Sequence, residues 1–509
     1  MNFRPYNQNQ AMLLPPSFKE CLPADHFCFV VSDIVDGLDL DSINDTYNNG
    51  DNGGAPAYNP RLLIKVIFYA YSQGIRSSRK IENSLFENIP FRFLSGNTQL
   101  DHGTINLFRK NHLEKLPEVF AQIVILAGSL GLADLSDISI DGTKVKADAS
   151  RKNLFTKEDI EKISTKIKDI LAEAEKIDEA EDKQYGDKRG YNQIPEKLAN
   201  PETRVKEIEK LKNKLVKFEE AKSRIEEKQT KASDKDLKLT KNKTSNTTDP
   251  DANLMQMKDK SYKVAYNCQF AAAGQIITAY DITDDPIDTH SLQTMVKKTI
   301  ENTKQNLKVA KADAGYFNQD NIEFLKENKI EAFIPDTFKK DDEKKEKENK
   351  IFSYDSKYFT YDEGKDEFTC PEGKVLKFKK KEDRGRRQYL CSSCSCCPKK
   401  SLCTKASARR IKVNHDLNKL RQEMREKLNS PEGKAKYEER MWEIEPVIGN
   451  LKHNQKLTTF LCRGKKKVSV ELGLSCTAHN LIKIFNGLKK KEIQREEINL
   501  SSLMRLKAA

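Results

Sequence analysis

Three acidic residues stand where their neighbours make chemistry available: Asp141 in ISIDGTKVKA, Asp313 in VAKADAGYF and Glu445 in WEIEPVIGNLK. Cutting or transferring a phosphodiester needs an attacking and a leaving oxygen held in line, which two divalent ions about 4 Å apart can stabilise together. Such hard ions take carboxylate oxygens and keep several waters, so a few acids from separate segments suffice. Strand alternation points Asp141 away from the face that Ile138 and Ile140 bury. The Asp141-Gly142 pair is also a strong signal for a tight hairpin turn, and one residue can serve both roles. Asp313 closes a strand before a glycine turn, the end at which α/β sheets place their sites. Glu445 lies on or beside a helix, with Lys452 seven residues on and nearly on the same face. Glu443 is the alternative acid, and Pro446 must either begin a helix or kink one.

The cysteines suggest a second chemistry. Six of the eleven fall between Cys370 and Cys403, in FTCPEGKVLKF and YLCSSCSCCPKKSLC. In a reducing compartment such a cluster favours metal over disulfides. Cys370, Cys394, Cys397 and Cys403 form a candidate four-thiolate zinc site, with Cys391 and Cys396 as substitutes. Four thiolates leave zinc no open position, so the site reads as structural.

The elements that must position these residues form a discontinuous α/β core. SDISIDGTKVKADAS supplies one strand, and SYKVAYNCQFAAAGQIITAYDIT supplies two, joined at Ala-Gly-Gln. NLKVAKADAGYFNQDNIEFLKENKIEAFIP reads as strand, turn, helix and short strand, and the segment from about Pro431 through YEERMWEIEPVIGNLKHN is helical. That order is the order of a ribonuclease-H-like fold. Between its pieces, Ile160, Ile163, Ile167, Ile170, Ala174 and Ile177, then Ile208, Leu211, Leu215, Phe218 and Ile225, predict two long amphipathic helices. Gly186, Gly190 and Pro195 separate them, giving an antiparallel hairpin. The expected organisation is a helical N-terminal DNA-binding domain (1–130), a core from 131–155 and 246–335, an inserted hairpin with linker (156–245), a cysteine-rich insertion (336–410) and C-terminal helices completing the core (411–509).

Composition fits this plan. Lys and Arg total 90 against 77 Asp and Glu, a net charge of +13 that favours a polyanionic partner. No run of about twenty apolar residues would cross a membrane, and the first residues lack a basic region followed by a long apolar stretch. The expectation is a cytoplasmic protein.

The chain resembles a DDE transposase of bacterial insertion sequences, in the group that includes the IS4 and IS5 types and most closely the IS1182 family. The resemblance covers nearly the whole chain. LLPPSF, YNPRLLIKVIFYAYSQGIRSSRKIENSLFENIPFRFLSGN and LDHGTINLFRKNH are similar to the helical leader domain of those proteins. DGTKVKADAS and KADAGYF resemble the blocks that carry their two catalytic Asp residues, and DPDANLM and YNCQ resemble the start of the strand pair between them. Tyr437, Arg440, Glu445 and Lys452 resemble the Tyr-Arg-Glu-Lys signature around the catalytic Glu. Four residues, MWEI, separate Arg440 from Glu445 where that signature has three, while the six of PVIGNL before Lys452 fit it.

The resemblance implies that Asp141, Asp313 and Glu445 hold two Mg²⁺ ions, for which Mn²⁺ can substitute. Water would cut the element's end, and the freed 3′-OH would attack target DNA. Lys452 would steady a phosphate, Arg440 would contact backbone or orient the Glu, and Tyr437 would stack or pack. Arg109 and Lys110, facing outward from the helix in HGTINLFRKNH, would bind phosphates of double-stranded DNA. A homodimer on DNA and association with the bacterial nucleoid follow from the same likeness. A domesticated nuclease of the same fold, or a non-catalytic DNA-binding relic, are the other readings. The basic tail from IFNGLKKK onward takes no specific role.

Overall fold

The computed structural model describes residues 17–47, 56–184, 201–230, 243–336, 354, 358–382 and 385–490, with side chains of 173–184 and 201–205 left aside. The turn with Gly186, Gly190 and Pro195 and the tail beyond Lys490 lie outside the described residues. Helices open the chain: α1 (Phe27–Gly37), α2 (Asp41–Asn44), α3 (Pro60–Ser72), α4 (Ser78–Glu87), α5 (Ile89–Leu94), α6 (His102–Asn111) and α7 (Leu116–Ser129). Asn59 and Asp101 cap α3 and α6 by accepting bonds from backbone N–H groups of the first turn, which would otherwise lack partners.

A six-stranded sheet follows, made of β1 (Asp137–Lys146), β4 (Asn253–Gln256), β5 (Tyr262–Ala273), β6 (Ile276–Thr283), β7 (Val309–Ala312) and β8 (Glu331–Phe333). Its order is β4-β5-β1-β7-β8, with β6 also on β5. Strand β5 runs antiparallel to β1, β4 and β6, whereas β1, β7 and β8 are mutually parallel. Ten consecutive residues of β5 are buried, so its two faces are both covered, and helices α10 (Leu292–Thr303) and α17 (Lys465–Lys489) lie against neighbouring β6. The β5–β6 turn uses Gly274 and Gln275, both at positive φ, as a two-residue hairpin of this kind requires. Asp141-Gly142 does not turn the chain. Strand β1 continues through it, paired with β5 without a break from Ser139 to Lys146.

The inserted helices α8 (Lys157–Gln184) and α9 (Pro201–Thr230) pack through Ile160, Ile167, Phe218, Ala221 and Ile225, with β2 (Leu154–Thr156) and β3 (Thr244–Asn246) paired at their base. Leu171 joins this small core where the heptad reading placed Ile170. The cysteine-rich region forms a separate antiparallel sheet: β9 (Thr360–Asp362), β10 (Glu367–Thr369), β11 (Val375–Lys381), β12 (Arg387–Cys391) and β13 (Arg410–Val413), with short helix α12 (Lys400–Cys403).

Helices α11 (Gln319–Glu327), α13 (His415–Asn429), α14 (Pro431–Glu438), α15 (Arg440–Glu443) and α16 (Glu445–His453) complete the set before α17. Pro446 begins α16 rather than kinking it, since the first turn of a helix has no use for the missing N–H. Helix α17 is buried almost all round, contributing Val468, Leu472 and Cys476 to the core of the sheet and Val470, Leu474 and Leu481 to the core of the N-terminal helices. The Arg76 guanidinium joins the two layers, donating to Glu471 at 2.6 Å and to the carbonyls of Lys456 and Thr459. No described helix is long and apolar enough to cross a membrane.

Candidate active site

Strand register builds the site. Ile140 of β1 pairs with Ala312 of β7, so Asp141 and Asp313 are the next residues of two adjacent parallel strands, the first still within β1 and the second just past the end of β7. Strand β7 ends at Ala312, which opens the sheet at that point. Asp313 then caps the short turn of 314–316, its Oδ1 accepting from the Gly315 N–H at 2.9 Å. Asp141 accepts from the Gly142 N–H at 2.8 Å and lies 3.5 Å from the Arg440 guanidinium. Burial pushes the Asp141 carboxyl up to about 6. Arg440 pulls the other way, and the Asp313 charge adds to the push.

The chain from Tyr437 to His453 crosses this face of β1. Asp137, Ser139, Asp141 and Thr143 share the face by alternation, and each meets a charged side chain from α14 to α16 or its surroundings. Ser139 donates to Glu443, Arg440 pairs with Asp141, and Lys452 donates to Thr143. Arg440 also donates to the Tyr437 hydroxyl at 3.4 Å and lies over that ring. Burial, then the charge of Lys258, lowers the pKa of Lys452.

A polar support that sequence reasoning missed stands behind the two aspartates. Asp288 accepts from Asn267 and Gln269 of β5, both at 2.7 Å, and Gln269 accepts in turn from the buried Tyr316 hydroxyl. The hydroxyl of Thr289 donates to the Gly315 carbonyl, tying this loop to the one that carries Asp313. Here the reason for Gly142 appears. A Cβ at that position would stand 2.9 Å from Asp288 Oδ1 and closer still to the Gln269 amide. The only signal in the sequence was a pair of polar residues on an otherwise apolar strand. His290, two residues on, is exposed and paired with Asp285.

Glu445 is exposed at the start of α16 and makes no hydrogen bond or ion pair among the described residues. Glu443 is committed elsewhere. With Asp137 and Glu439 it forms the one group of three metal-type ligands that lie within reach of a single cation among the described residues, and the Lys311 ammonium fills that position. Lys311 contacts Asp137 at 2.8 Å, Glu439 at 2.7 Å and Glu443 at 2.9 Å, with Lys436 on the outer side. Burial works against the Lys311 charge, and the bonds to these carboxylates more than offset it.

Arg109 does not face outward. Its guanidinium turns in to the Tyr71 hydroxyl at 3.0 Å and the Arg76 carbonyl at 3.1 Å, because α6 presents that side to the layer beneath α17, while Lys110 is exposed. Cys370, Cys391, Cys394, Cys397 and Cys403 line one small cavity, and Cys396 is exposed with its thiol turned to the Ser393 carbonyl. Backbone N–H groups of Lys374 and Arg409 point at the sulfurs of Cys370 and Cys394, at 3.2 and 3.3 Å. Burial, reinforced by Cys394, pushes the Cys391 thiol up to about 11.

Residues 369–485 match the family model described as a transposase DDE domain, and residues 16–111 match a transposase domain (DUF772). Both matched segments are similar to transposase domains, and together they span less than half of the chain. The first match takes in Glu445 and Lys452, the second takes in Arg109 and Lys110, and Asp141 and Asp313 lie between them. No curated protein and no solved structure matches the chain. The architecture that carries the two matches is mixed α/β. DDE transposase domains use divalent metal and act on DNA. The donor set at Asp141 and Asp313 suits such an ion: two hard carboxylates on neighbouring strands, one of them driven toward protonation by burial and, to a lesser degree, by the other's charge, a strain that a cation relieves.

Proposed function

We propose that this protein is a transposase of the IS1182 group that binds the terminal inverted repeats of its element, cuts the ends by metal-dependent hydrolysis and joins the 3′-OH to target DNA. The register that makes Asp141 and Asp313 the next residues of adjacent strands carries this reading. The strand order β6-β5-β1-β7-β8, with β5 alone reversed, supports a ribonuclease-H-like core divided by the hairpin and the cysteine-rich region at the boundaries drawn from the sequence. Asp141 and Asp313, with Glu445 from the start of α16, would hold two Mg²⁺ ions, or Mn²⁺ in their place. Such ions, when bound, activate the attacking oxygen and stabilise the leaving one.

The protein's own groups do the positioning. Arg440 holds the Asp141 carboxylate in place, and Tyr437 packs against Arg440. Lys452, anchored on Thr143 two residues beyond Asp141, offers its ammonium to a backbone phosphate near the cut. Asp288 and the Gln269–Tyr316 pair keep the Asp313 loop in register with β1. Lys110 contributes phosphate contacts from α6, while Arg109 braces that helix against the catalytic layer. Cys370, Cys394, Cys397 and Cys403 hold a structural Zn²⁺, a choice favoured by the shared cavity and the N–H groups aimed at two of the sulfurs. The protein acts as a homodimer on double-stranded DNA.

The test is a supercoiled plasmid carrying the DNA that flanks the gene, incubated with Mg²⁺. Asp141→Asn should lower end cleavage by about 10³-fold or more while leaving duplex binding within a few fold. Equal loss of binding and cleavage would make Asp141 a structural residue and remove the proposal's basis.

A further inference from the structure

A cleft of about 700 Å³ opens where β1 leaves the acidic site and meets the inserted helices. Its floor is the end of β1 and the start of β5, at Lys146 and Tyr262 to Val264; its walls carry Arg151, Lys217 from α9, and Arg463. Five cations line it, Lys146, Arg151, Lys217, Lys263 and Arg463, against one acid, Asp148, which Arg463 already neutralises at 2.8 Å. Lys146, Arg151 and Lys217 are exposed and make no ion pair among the described residues. Like charges from three separate segments repel one another across such a gap, and an anion bound between them removes that cost.

The cleft and the acidic site share strand β1. Arg440 beside Asp141 and Lys452 on Thr143 stand on one face of that strand, and Lys146, on its other face by alternation, belongs to the cleft floor. The exposed Tyr262 ring adds an apolar face beside the charges, a surface suited to sugar or base. A small anion would fill only part of a cleft of this volume. A phosphodiester backbone would use all of it.

Resting on the transposase reading above, we infer that this cleft between the core and the inserted helices is a docking site for the DNA backbone flanking the bond that is cut, and that α9 serves as its outer wall. The occupant is double-stranded DNA entering or leaving the acidic site. The inserted helices therefore act as a clamp wall rather than as a spacer.

The experiment uses the full chain and a generic labelled duplex of about forty base pairs, with affinity read by anisotropy across a salt series. Arg151→Glu with Lys217→Glu should weaken binding more than tenfold and reduce the salt slope by about two, one for each phosphate left without its cation. Lys419→Glu with Lys434→Glu, an equal charge change on exposed positions of α13 and α14, should cost less than threefold. A photo-crosslinking amino acid in place of Tyr262, in an otherwise unaltered chain, should attach to the duplex, which tests the cleft even if the double variant fails to fold. An unchanged affinity and slope, equal weakening in both double variants, or no crosslink at position 262 would overturn the cleft as a DNA site while wild-type binding persists. Failure of the wild-type chain to bind any duplex would overturn the transposase reading as well.

Discussion

Two groups of carboxylates face the same stretch of chain from Tyr437 to His453, and they are treated in opposite ways. Asp137, Glu439 and Glu443 close around Lys311, so three negative charges share one buried ammonium. Asp141 and Asp313, one short step further along the same two strands, receive a single guanidinium at 3.5 Å and keep mutual repulsion. The first arrangement is a finished structural joint. The second is an unsatisfied one, and an unsatisfied pair of hard donors is what a divalent ion needs. Proximity of acids alone therefore misidentifies the site: the tightest acidic cluster is the one already neutralised.

Removing the lysine gives the largest expected effect on stability. Lys311→Met leaves three carboxylates without their central partner and should cost about 3–5 kcal/mol in urea unfolding. A variant as stable as wild type would erase the distinction between the two groups. Next in size, Glu445→Gln should lower Mg²⁺-dependent cleavage by roughly 10²-fold or more with an unchanged melting curve, because the side chain is exposed and unpaired. Glu443→Gln should do the reverse, costing roughly 1–3 kcal/mol in stability with cleavage kept within a few fold. An exchange of those phenotypes would move the third acid to Glu443.

The pH dependence of the metal-free protein sharpens the contrast further. The Asp141 carboxyl is raised to about 6, so between that value and its ordinary range near 4 the folded state binds more protons than the unfolded state. Wild type should therefore gain stability as pH falls from 7 toward 4, and Asp141→Asn should be more stable than wild type by on the order of 2 kcal/mol at pH 7, with no advantage left at pH 4. Glu439 goes the other way. Although burial raises its pKa, the bonds from Lys311 and Lys436 outweigh that and hold it below its ordinary value. Its contribution is present at pH 7 and lost as pH falls below about 4.5, which thermal melts of Glu439→Gln across that range would read. The smallest effect belongs to the exposed thiol: Cys396→Ser should change stability by less than about 0.5 kcal/mol and leave bound zinc, measured by elemental analysis, at the wild-type level.

Much of the catalytic sheet was legible because its signals are local. Alternation, a glycine close behind each aspartate and the Ala-Gly-Gln turn locate β1, β5, β6 and β7 within the segments read as strands. The inserted helices were legible for the same reason, through apolar residues at spacings of three and four. What failed was everything decided between distant segments. Gly142 looked like a turn residue, yet its lack of a side chain makes room for Asp288, which lies 146 positions along the chain. Arg109 looked like part of an outward face because nothing in α6 announces that the last described helix will approach that side. Nothing in KVAKAD marks Lys311 as buried, and only the return of α14 and α15 across β1 buries it.

Helix α17 is the feature both cores share, and it is made almost last. Neither the N-terminal helices nor the sheet can finish burying its apolar surface until residues 465–489 arrive. During synthesis the N-terminal core stays open for more than four hundred residues, and the sheet for more than three hundred, before α17 closes both. A chain cut short before residue 465 therefore carries two exposed interiors at once, a target for proteolysis rather than a half-working fragment.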